Sequence, residues 1–229
     1  MNRLSTSVQE FFLACESLQT EFKRFDIEVE AVSKSARVRA ESMNPEDLDA
    51  VTARINKKVG RYSKISGPLE TTEDEARELW NFLKESGFKF SDNLFTDLEE
   101  GAYLKVYDVS FQAIYRSPNF YRATSYSIGD LQLYKWTELF DRAEIYNDQL
   151  SEALLEAFRA PLGTTAKIDV IVHSCTERFS PKQLNAIMHP LFLSTIQNKN
   201  GEKAVVAAGR VRNIIPRAEL YAKFQTSPK

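Results

Sequence analysis

Cysteine and histidine are the scarce residues of this chain. There are two of each in 229 positions: Cys15, Cys175, His173 and His189. Two cysteines cannot build a disulfide framework, and so few thiols and imidazoles leave little material for a metal site. No apolar run approaches the ~18 residues of a membrane span. The opening, MNRLSTSVQE, lacks the continuous apolar stretch of a secretory signal. These absences predict a soluble protein of the reducing cytoplasm, without membrane contact. A strong charge of one sign is missing as well, since 30 Lys+Arg stand against 32 Asp+Glu. That balance conceals an offset: residues 1–100 hold 14 basic and 20 acidic side chains, residues 101–229 hold 16 and 12. Such an offset reads as solvated surface, and it lacks the clustered basic face that a nucleic-acid partner requires. Catalytic motifs are absent too: no G-x-S-x-G elbow, P-loop, G-x-G-x-x-G or C-x-x-C occurs. The expectation is a protein that is not an enzyme.

What is present divides near residue 100. In the first part, Val8, Phe11, Cys15, Leu18, Phe22, Phe25, Val29, Val32 and Ala36 recur at alternating spacings of three and four. That is a heptad seam, and it predicts one helix from about Ser5 to Ser42. Such a helix would run roughly 57 Å at about 1.5 Å per residue. Asn44-Pro45 reads as an N-cap with Pro in the first helical position, opening a second helix striped by Leu48, Val51, Ile55, Val59 and Tyr62. Thr72 with Glu75 reads as the capping box of a third helix, which Gly87 ends. An antiparallel hairpin of the first two helices covers only part of the seam. Phe11, Leu18, Phe22, Phe25 and Val29 are therefore candidate interface residues of a homodimer, with burial inside one chain as the alternative.

Residues 101–215 change character. Ala102–Asp108 and Phe111–Ser117 are rich in aromatic and β-branched side chains and read as strands. An irregular, helix-prone stretch follows from Pro118 to Phe140, then a longer helix over Ala143–Arg159. Three further strands are predicted over 166–176, 184–197 and 203–215, the last two joined by an Asn-Gly hairpin signal at Asn200-Gly201. The remaining segment, 216–229, has the composition of a short helix or tail. This order predicts an α+β fold: a five-stranded antiparallel sheet with helices on one face, preceded by a helical hairpin, bundle or coiled coil.

Several phrases in this half resemble the PAS domain family of sensor and interaction modules. Ala113-Ile114-Tyr115-Arg116-Ser117-Pro118-Asn119-Phe120 is similar to the family's second strand and the turn into its first helix. Thr124-Ser125-Tyr126-Ser127-Ile128-Gly129-Asp130-Leu131 resembles its "tGYs-x-eeL" phrase, with Ser125 where Gly is usual. Trp136-Thr137-Glu138-Leu139-Phe140 falls where the family has a short turn before its connecting helix. Lys199-Asn200-Gly201-Glu202 and Gly209-Arg210-Val211-Arg212-Asn213-Ile214 resemble its final hairpin and ending. The resemblance covers roughly half the chain and implies a strand order 2-1-5-4-3. It also implies a cavity between sheet and helices, for which Phe120, Tyr126, Trp136 and Phe140 are the candidate lining residues. In that family the space holds haem, flavin or small metabolites, or is filled by side chains. No Cys lies between Cys15 and Cys175 for flavin photochemistry, and residues 143–159 lack a histidine for haem, so the cofactor stays unknown. The resemblance implies a sensory or regulatory protein that binds a small ligand or an effector protein and signals through its helical N-terminal half. A ligand-free dimerisation or docking adaptor is the alternative, and an enzyme or binding protein on an unrelated α+β fold, such as a cone-shaped sheet, a further one.

Overall fold

The computed structural model describes residues 3–96 and 98–216; the helix or tail expected over 216–229 lies, beyond Pro216, outside the described residues. Helix α1 (Arg3–Lys23) buries Phe11, Ala14, Cys15, Leu18 and Phe22 along one face, as the seam predicts. The helix then stops. The Phe25 N–H donates to the Phe22 carbonyl at 3.0 Å, and Asp26 turns the chain at φ 53°, a left-handed conformation that Asp tolerates better than most residues. Beyond it Phe25, Ile27, Ala31 and Ser33 are buried while Asp26, Glu28 and Glu30 are exposed. The same residues that satisfy a three-four spacing also satisfy alternation. The β-branched Ile27, Val29 and Val32 tip the choice towards an extended connector. Helix α2 (Lys34–Ser42) restarts on Ser33, whose hydroxyl accepts from the Ala36 N–H at 3.1 Å. The single helix expected over 5–42 is therefore two helices and a strand-like link.

Helix α3 (Pro45–Tyr62) begins where its cap predicts, with the Asn44 side chain accepting from the Glu46 N–H at 2.9 Å. Its direction corrects the hairpin expectation. At the start of α1, Arg3 lies 3.7 Å from both Glu46 and Asp49; past its end, Arg24 donates to the Ile65 carbonyl at 3.1 Å. The helices α1 and α3 run parallel, and the link with α2 makes the return. Phe22 packs edge-on to Tyr62 and Tyr121, at 5.1 and 4.7 Å between ring centroids. Phe11, Leu18 and Phe22 are fully buried and Phe25 nearly so, with Val29 packed at the margin. The seam proposed as a dimer interface is covered within one chain. Helix α4 (Thr72–Glu85) is capped by Thr71 with Asp74, one residue earlier than expected. That shift frees Glu75 to turn inward, where it accepts from the Asn119 N–H. Glu78, one turn on, lies 2.6 Å from Arg61 and accepts from the Tyr115 hydroxyl, tying α3 to α4 and the sheet.

The chain continues through β1 (Phe88–Lys89), β2 (Tyr103–Asp108), β3 (Ala113–Arg116), α5 (Pro118–Arg122), α6 (Ile128–Leu133) and α7 (Trp136–Leu139). Then follow β4 (Phe140–Asp141), α8 (Glu144–Arg159), β5 (Thr165–Lys167), β6 (His173–Glu177), β7 (Leu184–Asn198) and β8 (Lys203–Pro216). All pairings are antiparallel, in the order β3-β2-β8-β7-β6-β4, with β5 and β1 pairing further along β7. The fold is α+β, but among the described residues its sheet has eight strands, several of them two or three residues long, where five were expected. The strand predicted over 166–176 is split in two by a turn, closed by the Ile171 N–H to the Ile168 carbonyl at 3.1 Å. Opposite that break β7 shifts register between Pro190 and Phe192, where Pro can give no ladder hydrogen bond. Strands β7 and β8 meet through the predicted hairpin, with Gly201 at φ 85°.

Both faces of the sheet are covered. Leu104 and Val106 of β2 pack with Leu79, Phe82 and Leu83 of α4. Tyr103 and Tyr107, on the opposite face, pack under the helices α5–α8. One cluster joins Phe11, Leu18 and Phe22 to Phe120, Tyr121, Ile128 and Leu131, and on to Tyr103 and Met188 of the sheet. The boundary near residue 100 thus separates a mainly helical part, which still lends β1 to the sheet, from a mixed part, and the two share a core.

Candidate functional site

A cavity of about 80 Å³ lies between the sheet and the helices α7 and α8. Its floor is the inward face of β2 with β7 and β8. Alternation on β2 sends Tyr103, Lys105 and Tyr107 to this side. Gly209 on β8 makes room for Tyr103, since a Cβ there would stand 2.6 Å from the tyrosine hydroxyl. Trp136 and Phe140 form an aromatic wall, and Leu150, Leu154, Ile168 and Leu193 an aliphatic one. Arg142, from the link between β4 and α8, and His173 of β6 complete the lining.

Of the polar side chains that line this cavity, Lys105, Arg142 and Trp136 can only donate, while Tyr103, Tyr107 and His173 can also accept. Lys105 is only 5% exposed. Its ammonium sits 3.7 Å from the Phe120 ring centre and 4.6 Å from that of Tyr103, and among the described residues it has no hydrogen bond or ion pair. Its cross-strand partner is Arg116, a like charge directly opposite, which is unfavourable. Burial, then Arg116, then Arg142 hold the Lys105 pKa well below the ordinary lysine value. Arg142 lies over Trp136 and Phe140, 5.0 and 5.4 Å from their centres, and its Nε is buried without an acceptor. The Trp136 indole N–H is likewise buried and unpartnered. His173 stacks on Tyr146, and its Nδ1 and Nε2 lie 3.2 Å from the Ile171 carbonyl and 3.4 Å from Arg142 Nη1. Burial lowers its pKa. The neutral ring then donates from Nδ1 and accepts at Nε2.

Of the four side chains expected to line the cavity, Trp136 and Phe140 do so. Phe120 stands behind Tyr103, edge-on at 5.2 Å, and carries the Lys105 ammonium. Tyr126 supports Phe140 from outside, edge-on at 5.6 Å, and its hydroxyl donates to the Leu139 carbonyl. Lys105 and Arg142 were not expected. In Tyr103-Leu104-Lys105-Val106-Tyr107 the alternation makes Tyr, Lys and Tyr look like the solvent side of a half-buried strand. Cys175 is buried, and burial raises its pKa to about 11, which favours the thiol over the thiolate. Among the described residues, no group of three or more His, Cys, Asp and Glu could hold a metal ion, and no helix is long and apolar enough to cross a membrane. No family model and no curated protein matches the chain.

Proposed function

We propose that this chain is a PAS-type regulatory protein without catalytic output, which takes a small molecule between its sheet and helices and passes the change to its N-terminal helices. The observation that carries this reading is the cavity itself, with buried polar groups converging on a mostly apolar space. The strand order supports it: with β6 taken as the third strand, β3, β2, β8, β7 and β6 are neighbours in the order that the resemblance implies, within a larger sheet. The sheet is larger than the five expected strands: β1 and β4 are two-residue additions, and β5 is the first half of the strand expected over 166–176. The route outward is α6, which lies in the same core cluster as Phe11 and Ala36. A ligand acts on that route only by its differential affinity for two arrangements of those helices.

The test is native and then denaturing mass spectrometry of the freshly purified full chain, followed by hydrogen exchange with and without any released molecule. The expected result is a non-covalent added mass, and slower exchange in α1–α3 when it is bound. A chain that carries no added mass, and whose α1–α3 exchange is unchanged by every molecule that raises its melting temperature, refutes the reading.

A further inference from the structure

The donor inventory of the cavity goes further and, resting on the ligand-binding reading above, names the ligand's chemistry. We infer that the cavity binds a small organic anion, one carboxylate on a compact apolar body, with Lys105 and Arg142 as its charge partners. Three residues that line this space carry donors with no acceptor among the described residues: Arg142 Nε and the Trp136 indole N–H, both buried, and the Lys105 ammonium, held against the Phe120 ring. Buried donors left unpaired are costly, and more so when charged. Folded chains seldom leave three in one place. Among the described residues no carboxylate lines the cavity, and the groups that act on Lys105 are two guanidiniums and the Cys175 thiol. The groups that act on Arg142 are Cys175 and three tyrosines, again with no carboxylate. The imidazole acceptor faces Arg142 Nη1 and leaves Nε free.

An anion therefore supplies the missing charge and acceptors together. The planar guanidinium, with its free edge, matches a carboxylate. The aliphatic and aromatic remainder of the lining favours an apolar body over a second charged or hydroxylated end. The volume of about 80 Å³ keeps that body to a short branched chain or one ring.

The experiment uses matched pairs differing only in charge, isobutyrate with isobutyramide and benzoate with benzamide, read by calorimetry and by the melting temperature of the full chain. The acids are expected to bind and raise the melting temperature, while their amides do not. Lys105→Met is expected to weaken the acid by at least about tenfold. Its own melting temperature without ligand should equal or exceed that of the parent, because Met replaces an unpaired buried cation. Amides that bind as well as the acids overturn the anion inference and leave the ligand-binding reading standing. Acids that have no effect overturn it too, and the mass spectrum then decides the wider reading separately. A Lys105→Met variant that folds and binds the acid undiminished removes Lys105 from the site.

Discussion

Glu75 shows how one side chain can set a pH dependence. It has no exposed surface, and its carboxylate accepts from the Asn119 N–H with Arg122 3.5 Å away. Burial outweighs these partners and raises its pKa to about 8. The folded chain thus holds this proton more tightly than the unfolded chain does. That contribution to stability is complete below the ordinary carboxylate pKa and is lost as pH rises through about 8. Glu78 is shifted in the same direction by burial. Glu75 and Glu78 should therefore add a downward slope to the melting temperature between about pH 5 and about pH 9, opposed by Lys105 and His173, whose lowered pKa values favour the fold as pH rises. Glu75→Gln should flatten that slope, since a neutral amide keeps the acceptor and loses the titration. A slope that Glu75→Gln leaves unchanged would assign the effect elsewhere.

At the scale of elements, Asp130 is the joint between the N-terminal helices and α6. One carboxylate oxygen accepts from the Ser33 and Ser35 hydroxyls at 2.8 and 2.7 Å; the other accepts from the Ser127 N–H and hydroxyl at 3.1 and 2.7 Å. Ser33 and Ser127 are the N-caps of α2 and α6, so one carboxylate organises two helix starts. The connector adds its own backbone, as the Glu30 and Ala31 carbonyls accept from the Ile128 and Gly129 N–H groups at 2.8 and 2.9 Å. Those two donors belong to the first turn of α6 and have no partner within it. Asp130→Ala should cost about 3 kcal/mol, through two damaged caps and stranded buried hydroxyls. Denaturant unfolding at neutral pH measures it. Gly129 tolerates no side chain, because a Cβ would stand 2.8 Å from that of Ala36. Gly129→Ala should lower the melting temperature and raise hydrogen exchange first in α2 and α6. Exchange that rises only in the sheet would contradict this joint.

Across the whole molecule, the layers are α1–α3, then α5–α8, then the sheet, then α4. Phe22 lies deep in the first interface, against Tyr62 and Tyr121. Phe22→Ala should cost about 3–5 kcal/mol by leaving a cavity, with no change in the number of chains per particle. Light scattering beside a thermal melt checks both parts. A variant that keeps its melting temperature but changes its assembly would return the seam to the role of a dimer interface. Because the first cluster spans both halves, the full chain should melt in one transition. Two separated transitions in calorimetry would mean that the halves hold separate cores.

Much of the local structure was legible in the residues. The Asn44-Pro45 start of α3, the strand patterns of β2, β7 and β8 and the Asn-Gly hairpin between the last two depend on neighbours in the chain, where period, capping and turn chemistry act. The seam was legible only as an apolar stripe. Residues 25–33 fit two periods, and the connector wins because its carbonyls meet α6, about a hundred positions away. The strand predicted over 166–176 broke because Pro190 lies on the strand it pairs with. Trp136 and Phe140 could be singled out as large aromatics in an irregular segment, whereas Lys105 and Arg142 could not. A lysine alternating with tyrosines reads as solvent-facing until a second layer covers that face. Whether two cations share one dry space is a property of the packed layers, since burial and electrostatic partners are set by residues distant in sequence. The sequence by itself determined the elements and their apolar faces; the tertiary structure decided which faces were covered, which way α3 ran, and where charge was left without a partner.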